Sequence, residues 1–394
     1  MSSAAPARAP RLTAVLRGDE ERVTPLELFF DLVFVLAVTQ CTALMAHEVS
    51  WAGLAKGLLV LGVLWWSWVG YAWLTSVVDP EEGVVRLAIF AAMAAFVVAA
   101  LCVPRAFDSS AAGFAAAYAV VRGAHIVLFL AASRDDPALR HSVLGLAGST
   151  AVGTGLLGAA AFADGLAQGG LWALALTLDA AGPYFFGSEG WKLVPRHFAE
   201  RHGLIVIIAL GESIVAIGAG ADVGVDAGVV AAAVAGMVVA AALFLLYFDV
   251  VALVAARRLE RAPAGRERND IARDSFSYLH FPMVAGIVLV ALGIKKTLPH
   301  VGDPLHVVPA AALLGGTAAY LVAHVAFRWR NVHRFSAQRM VAAAACAALL
   351  PAATEIPALA TLAALGALLA GVVAYEHVRF AELRARLRRQ LAEG

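Results

Sequence analysis

Charge is scarce in this chain. Of its 394 residues, only 15% are Asp, Glu, Lys or Arg, where a soluble domain carries about a quarter. Set against 61% hydrophobic residues, that deficit excludes an ordinary water-solvated globule. Cysteine is scarce too. Cys41, Cys102 and Cys346 each stand in an apolar run, and no pair has metal-ligand spacing, so they read as small buried residues. The recognised catalytic signatures are missing: no paired-histidine zinc motif, no nucleophile elbow, no glycine loop built to cradle phosphate. The histidines are irregularly spaced. A net charge of +1 with arginines scattered over short connections gives no ground for a nucleic-acid partner. Residues 1–22 are rich in Ala, Pro and Arg with no apolar core, which excludes a cleaved signal peptide. They read as a disordered cytoplasmic tail.

What the chain has instead is long apolar runs. Twelve are spaced as membrane spans: 27–46, 52–77, 84–103, 112–132, 141–163, 170–187, 203–221, 226–255, 275–296, 306–328, 338–353 and 356–376. Runs of roughly 20 residues span a bilayer as helices, and these are continuous rather than alternating, which speaks against a β-barrel. The expected class is therefore an all-α polytopic integral membrane protein with about 12 transmembrane helices. With residue 1 in the cytoplasm, only Lys56, Arg105, Lys295 and Lys296 fall outside and Arg122 falls within a span. The rest of the 30 basic residues lie inside, as the positive-inside rule requires. Both termini are expected in the cytoplasm.

The spans divide into a six-helix half at 23–196 and another at 197–377. Residues 27–35 match 200–208 in position, and the helix of Arg122 matches that of His324. This is compatible with two parallel halves, and chance similarity between alanine-rich helices is the alternative. Residues 378–394 read as a basic helix lying on anionic lipid.

Polar residues inside the runs carry the functional argument. In the first span Glu27, Asp31 and Thr42 fall on one helical stripe, and carboxyl groups at that depth face the bundle interior. Residues 197–213 lead a cluster of His197, Glu200, Arg201 and His202 into a span with Glu212 about nine residues in. Glu212 is expected to face a polar cavity shared with the first span and to bind and release a proton; structural pairing is the alternative. Tyr118, Arg122 and His125 share a face of the fourth span. Arg122 needs a counter-charge, and Glu27, Asp31 and Glu212 are the candidates. The alternative is an ion pair that only fixes helix packing.

Asp179, Glu189, Asp249, Asp274, His324 and Glu376 are further polar groups in or beside the runs. Asp79 and Glu82 lie in an acidic turn that suits a cation or a magnesium-bound diphosphate, unless it is a plain solvated turn. Asp274 and Tyr278 share a helix face. His280 precedes Pro282, which can bend the ninth span and free carbonyls for a ligand. Trp65, Trp66, Trp68, Tyr71 and Trp73 read mainly as interfacial anchors, or as the wall of an apolar pocket.

Residues 23–40 and 202–213, the run Trp65-Trp66-Ser67-Trp68-Val69-Gly70-Tyr71 and residues 274–282 together resemble the bacterial low-temperature-requirement A family. The likeness runs in order from about Val23 to Tyr375. At Asp79-Pro80-Glu81-Glu82 the chain keeps the family's acids but adds a proline. The resemblance implies a multi-pass bacterial inner-membrane protein named for cold-growth phenotypes, with no agreed biochemical activity and with the cofactor unknown.

Three functional classes stay open. One is a transporter or ion-handling protein for a small molecule or ion. It would have Glu27, Asp31, Arg122, Glu212 and His202 as its functional core, and Tyr118, His125, Tyr278, His280 and Trp68 as substrate contacts. The second is a membrane-embedded enzyme for a lipid or isoprenoid, and the third a structural or stress-related membrane protein.

Overall fold

The computed structural model describes residues 22–186, 190–220 and 224–392; the expected N-terminal tail and Glu189 lie outside them. The described chain is helical throughout, without strands. In order the helices are α1 (Pro25–His47), α2 (Trp51–Thr75), α3 (Gly83–Cys102), α4 (Ala111–Ala132) and α5 (Pro137–Ala160). There follow α6 (Gly165–Phe185), α7 (Pro195–Gly220), α8 (Ala227–Phe248), α9 (Val251–Arg261) and α10 (Arg266–Ile271). The last are α11 (His280–Thr297), α12 (Val307–Val332), α13 (Ala337–Ala353), α14 (Ala358–Arg379) and α15 (Ala381–Ala392). Over their described residues the twelve apolar runs fall on helices, with 226–255 divided between α8 and α9 and 275–296 between the turn at Ala272–Tyr278 and α11. Ten helices are long and apolar enough to cross a membrane among the described residues, α6 and α13 being the two runs outside that group.

The helix starts are written in the sequence. Thr24 caps α1 through a capping box, its hydroxyl accepting from the Glu27 amide (3.3 Å) while Glu27 Oε2 accepts from the Thr24 amide (2.9 Å), with Pro25 at the first helical position. Ser50 caps α2, Asp136 caps α5 ahead of Pro137, and Asp226 caps α8. At Asp136, outside the spans, the amide of Leu139 donates to the carboxylate and holds it below the ordinary Asp range.

The core is built around α2 and α11. Helix α11 packs on α12 and α7 and also meets α1, α2 and α14, while α5 packs on α6, α3 on α4 and α8 on α14. Before α11 the chain widens into a π-turn, Ala272–Tyr278, where the i→i−4 ladder is broken. Freed carbonyls do appear beside Pro282, but side chains take them. Ser275 O accepts from His280 Nδ1 (2.9 Å) and Ser277 O from Trp65 Nε1 (2.9 Å). Asp274 and Tyr278 both meet Tyr184 of α6, which donates to Asp274 Oδ1 (3.1 Å) and packs on the Tyr278 ring (5.1 Å). Asp274 also pairs with Arg273 and Arg330, and the Tyr278 hydroxyl donates to the Ala180 carbonyl.

Two expectations are corrected here. The aromatic row of α2 is buried rather than interfacial, Trp65, Trp66, Trp68, Tyr71 and Trp73 being at most 9% exposed. Most of these rings find an internal hydrogen-bond acceptor, which removes the need for an interfacial one. Helix α7 begins eight residues before the expected span. It therefore takes His197, Arg201 and His202 into the core, each 0% exposed, and Arg201 is not a loop charge.

Helices α11 and α12 approach through glycine. A Cβ on Gly286 would lie 2.6 Å from Gly316 O, and one on Gly316 2.7 Å from Gly286 O, the close backbone approach that small residues permit in membrane bundles. Gly286→Ala should therefore destabilise the fold by about 1–3 kcal/mol. Gly371→Ala on α14, where nothing lies within 4 Å, should be neutral or slightly stabilising. Thermal unfolding of the detergent-purified variants distinguishes the two, and equal melting temperatures would refute the packing argument.

Candidate functional site

The acidic stripe of α1 points inward, and Glu27, Asp31 and Thr42 are all buried. Its partners come from α2 and α7. Asp31 Oδ1 accepts from the Trp68 indole N–H (2.8 Å) and from Arg201 Nη2 (2.5 Å). Arg201 Nη1 donates to Thr75 Oγ1 (2.9 Å) and lies 3.7 Å from Glu27 Oε1. Its guanidinium also sits 5.5 Å from the Trp68 ring. Glu27 is bound by His197 Nε2 at 2.9 and 3.0 Å, and the other imidazole nitrogen meets Ser76 Oγ at 3.3 Å. The geometry has a simple origin. Glu27 and Asp31 are four residues apart on α1, His197 and Arg201 four apart on α7, and both helices start at the same end of the bundle, so two matched one-turn pairs face each other.

Arg122 belongs to a second cluster. Its expected pairing with Glu27, Asp31 or Glu212 is wrong. Nη2 donates to Asp179 Oδ1 (2.9 Å) on α6 and to Thr150 Oγ1 (2.7 Å) on α5. Thr150 and the Tyr118 hydroxyl complete the Asp179 shell at 2.9 and 3.4 Å. The reason is packing: α4 lies on α5 and α5 on α6, and Arg201 already occupies the acids of α1. His125, between the rings of Tyr71 and Phe129, stands beside Arg122 over Gly70. A Cβ on Gly70 would come within 2.9 Å of the imidazole and 3.0 Å of the guanidinium. Both side chains line a narrow cavity of about 50 Å³ with Trp66, Pro183 and Ser277.

Glu212 forms the third contact. It is 4% exposed, and the hydroxyl of Thr39 on α1 donates to Oε2 at 2.6 Å. In place of the expected polar cavity shared with the first span, Glu212 meets that span by a direct hydrogen bond. Among the described residues no cation lies within ion-pair distance, and Lys295 acts on it only through space.

The histidines and Trp68 form an aromatic layer beside the first cluster. His202 packs against Phe198, Trp68 and His280 with ring centroids at 4.4, 5.0 and 5.3 Å, and its Nδ1–H donates to Phe198 O (2.8 Å). His280 donates from Nδ1 to Ser275, so its Nε2 accepts from the Tyr247 hydroxyl (2.8 Å). Tyr278 lies apart, against α6.

The acidic turn does not assemble a metal centre among the described residues: Asp79 accepts from the Glu81 amide, Glu82 is exposed, and no group of three or more potential ligands converges. Sequence reasoning passed over Arg201 as a loop charge, although the matching four-residue spacings marked it. It named Asp179 without its role, and it missed Thr39 and Thr150, for which periodicity carries no signal.

The Arg122–Asp179 pair is buried on both sides, at 1% and 4% side-chain exposure, so removing one member leaves an uncompensated charge at a cost of about 3–5 kcal/mol. Arg122→Ala should lower the yield and melting temperature of the folded protein. Adding Asp179→Asn should recover part of the loss, whereas adding Asp31→Asn should not. Rescue by Asp31→Asn alone would overturn the assignment.

Comparison with known proteins agrees with this architecture. The family model described as bacterial low temperature requirement A protein (LtrA) matches residues 22–374. A Rhizobium meliloti (strain 1021) protein, described as uncharacterized, is 28% identical over 314 residues, covering 77% of this chain and 76% of its own. No solved structure matches. With the match running across nearly all of the helical bundle, the chain belongs to the bacterial low-temperature-requirement A family.

Proposed function

We propose that this multi-pass membrane protein is a transporter or a proton- or ion-handling protein of the bacterial inner membrane. In this reading twelve spans form two parallel halves and both termini are cytoplasmic. The observation that carries it is Glu212. Arg122 is matched by Asp179 and Arg201 by Asp31, as packing in low dielectric demands. Glu212 is buried in an apolar stretch of α7 with a threonine hydroxyl rather than a cation against it. A carboxyl group so placed is sustained most cheaply as the neutral acid, and a group that must shed and regain a proton to change charge is a proton carrier.

The first cluster supports the same reading. It sets two carboxyl groups, Glu27 and Asp31, against the Arg201 guanidinium and the His197 imidazole. His202, Trp68 and His280 form the adjoining wall, while Arg122, Tyr118 and His125 hold the α4–α6 side of the bundle.

Glu212→Gln keeps the shape of the side chain and removes its titration. In proteoliposomes carrying a pH-sensitive dye and an imposed potassium diffusion potential, the wild type should admit protons. The variant should lose at least tenfold in rate while its melting temperature stays within a few degrees of wild type. An equal rate would reduce Glu212 to a packing group.

The orientation is tested separately. Reporter fusions at Gly394 and between residues 261 and 266 should both read cytoplasmic, because the basic residues then lie on the inner face. A periplasmic signal from either fusion would break the twelve-span count.

A further inference from the structure

A half-open cavity lies outside all three clusters, where α9, the ends of α12 and α14 and the start of α13 meet. It has a volume of about 530 Å³, within the roughly 300–1,000 Å³ typical of small-molecule sites. Its lining is strongly one-signed. Helix α9 contributes Arg257, Arg258 and Arg261, and the α12–α13 corner contributes Arg328, Arg334 and Arg339, against a single carboxylate, Glu376.

The arginines divide by role. Arg339 is a structural element of the wall: it grips Glu376 at 2.7 and 2.8 Å, His324 at 2.5 Å and the Leu246 carbonyl at 2.9 Å. Arg258 pairs outward with Glu267. Arg328 donates to Ser336 Oγ (2.8 Å) and sits 5.4 Å from the Phe380 ring. Arg261 and Arg334 are exposed and make no ion pair among the described residues. At the same cavity Asn331, 4% exposed, donates from Nδ2 to Phe327 O (2.8 Å) and leaves Oδ1 without a hydrogen-bond partner.

The remaining wall is apolar. Val250, Val251, Val254, Phe327, Val332 and Phe380 face the cavity, beside the ends of two membrane-length helices. Helix α9 is itself amphipathic. It turns Ala255 and Leu259 into the bundle and follows α8 at the Asp249–Val250 corner, the arrangement of a helix lying in the membrane interface.

Guanidinium groups recognise phosphate through paired N–H donors. An apolar wall beside such a cluster accommodates a hydrocarbon tail. Asn331 Oδ1 accepts from an N–H or O–H donor, and a singly protonated phosphate monoester carries such an O–H, whereas a phosphodiester capped by a quaternary ammonium carries no donor. We infer that this cavity is a binding site for the phosphate headgroup of an anionic amphiphile, seated on the arginines of α9 and the α12–α13 corner with its chain along the apolar wall. The inference does not depend on proton handling by Glu212.

The test is ligand binding to the full-length protein in dodecyl maltoside, followed by native mass spectrometry or microscale thermophoresis. The probes are dioctanoyl phosphatidic acid, dioctanoyl phosphatidylcholine and inorganic phosphate. Wild type should bind the phosphatidic acid at least tenfold more tightly than the choline lipid. The double variant Arg261→Gln/Arg334→Gln, which touches none of the ion pairs of the fold, should lose at least tenfold for phosphatidic acid and keep its melting temperature.

A salt titration of the wild type gives a readout that needs no variant. Raising sodium chloride from about 50 to 500 mM should weaken phosphatidic acid binding severalfold while leaving the choline lipid unchanged, because salt screens exposed charges. Equal affinity for the two lipids, or phosphatidic acid binding that ignores both salt and the double variant, would overturn the site. Inorganic phosphate binding as tightly as phosphatidic acid would overturn the amphiphile assignment and make the source a soluble anion.

Discussion

The ion pair between Arg201 and Asp31 is the constraint around which the bundle is arranged. Its oxygen is shared with the indole of Trp68, and its guanidinium reaches on to Thr75. One set of contacts thus ties α1, α2 and α7 at the same end. In a low-dielectric interior a guanidinium and a carboxylate cannot separate without stranding charge, so the register of the three helices is fixed to within a hydrogen bond. Glu27 adds a second constraint. The same carboxylate closes the capping box on Thr24 and binds His197, so the start of α1 and its docking on α7 are one event rather than two.

Much of the fold was legible because hydrophobic length is what a bilayer reads. The apolar runs fall on helices, 226–255 being divided between α8 and α9 and 275–296 starting in the π-turn before α11. The Ser50, Asp136 and Asp226 caps stand at or just before the starts of their runs. The error at α7 shows the limit of that reading. His197, Glu200, Arg201 and His202 lower the hydropathy of the first two turns, so the helix seemed to start later, yet three of the four are core residues. Polar residues inside a membrane bundle look like loop residues until a partner is known. The tryptophans of α2 fail for the related reason that an indole N–H is equally suited to an interface or to a buried carbonyl.

The site was half legible. Periodicity placed Glu27 and Asp31 on an inward stripe and Tyr118, Arg122 and His125 on one face. It could not say which face meets which, because that depends on helix neighbours and not on spacing along one helix. Arg122 therefore seemed to need an acid from α1 or α7, when α6 supplied Asp179. The pair Glu27/Asp31 and the pair His197/Arg201, each four apart and opposite in sign, were the one sequence clue to a specific helix contact.

The polar groups along the α1–α7 seam are distributed unevenly, and that distribution constrains the proposed role. Asp31 and Thr39 are eight residues apart on α1, about 12 Å along a helix. Beyond His202, whose Nε2 has no hydrogen-bond partner, the buried residues between the Arg201 cluster and Glu212 are apolar: Phe34, Ala37 and Val38 on α1, Ile205, Val206 and Ala209 on α7. A proton cannot cross that distance by hydrogen bonds among side chains that have none to offer. In the proposed role, transfer between Glu212 and the cluster at the helix starts requires water in the seam, which α1 and α7 admit by parting. The closed seam is then the barrier in that role. Because Arg201, Asp31 and Glu27 hold one end shut through charge, in that role the parting begins at the Glu212 end, where hydroxyl–carboxyl hydrogen bonds from Thr39 and Thr42 are the polar ties.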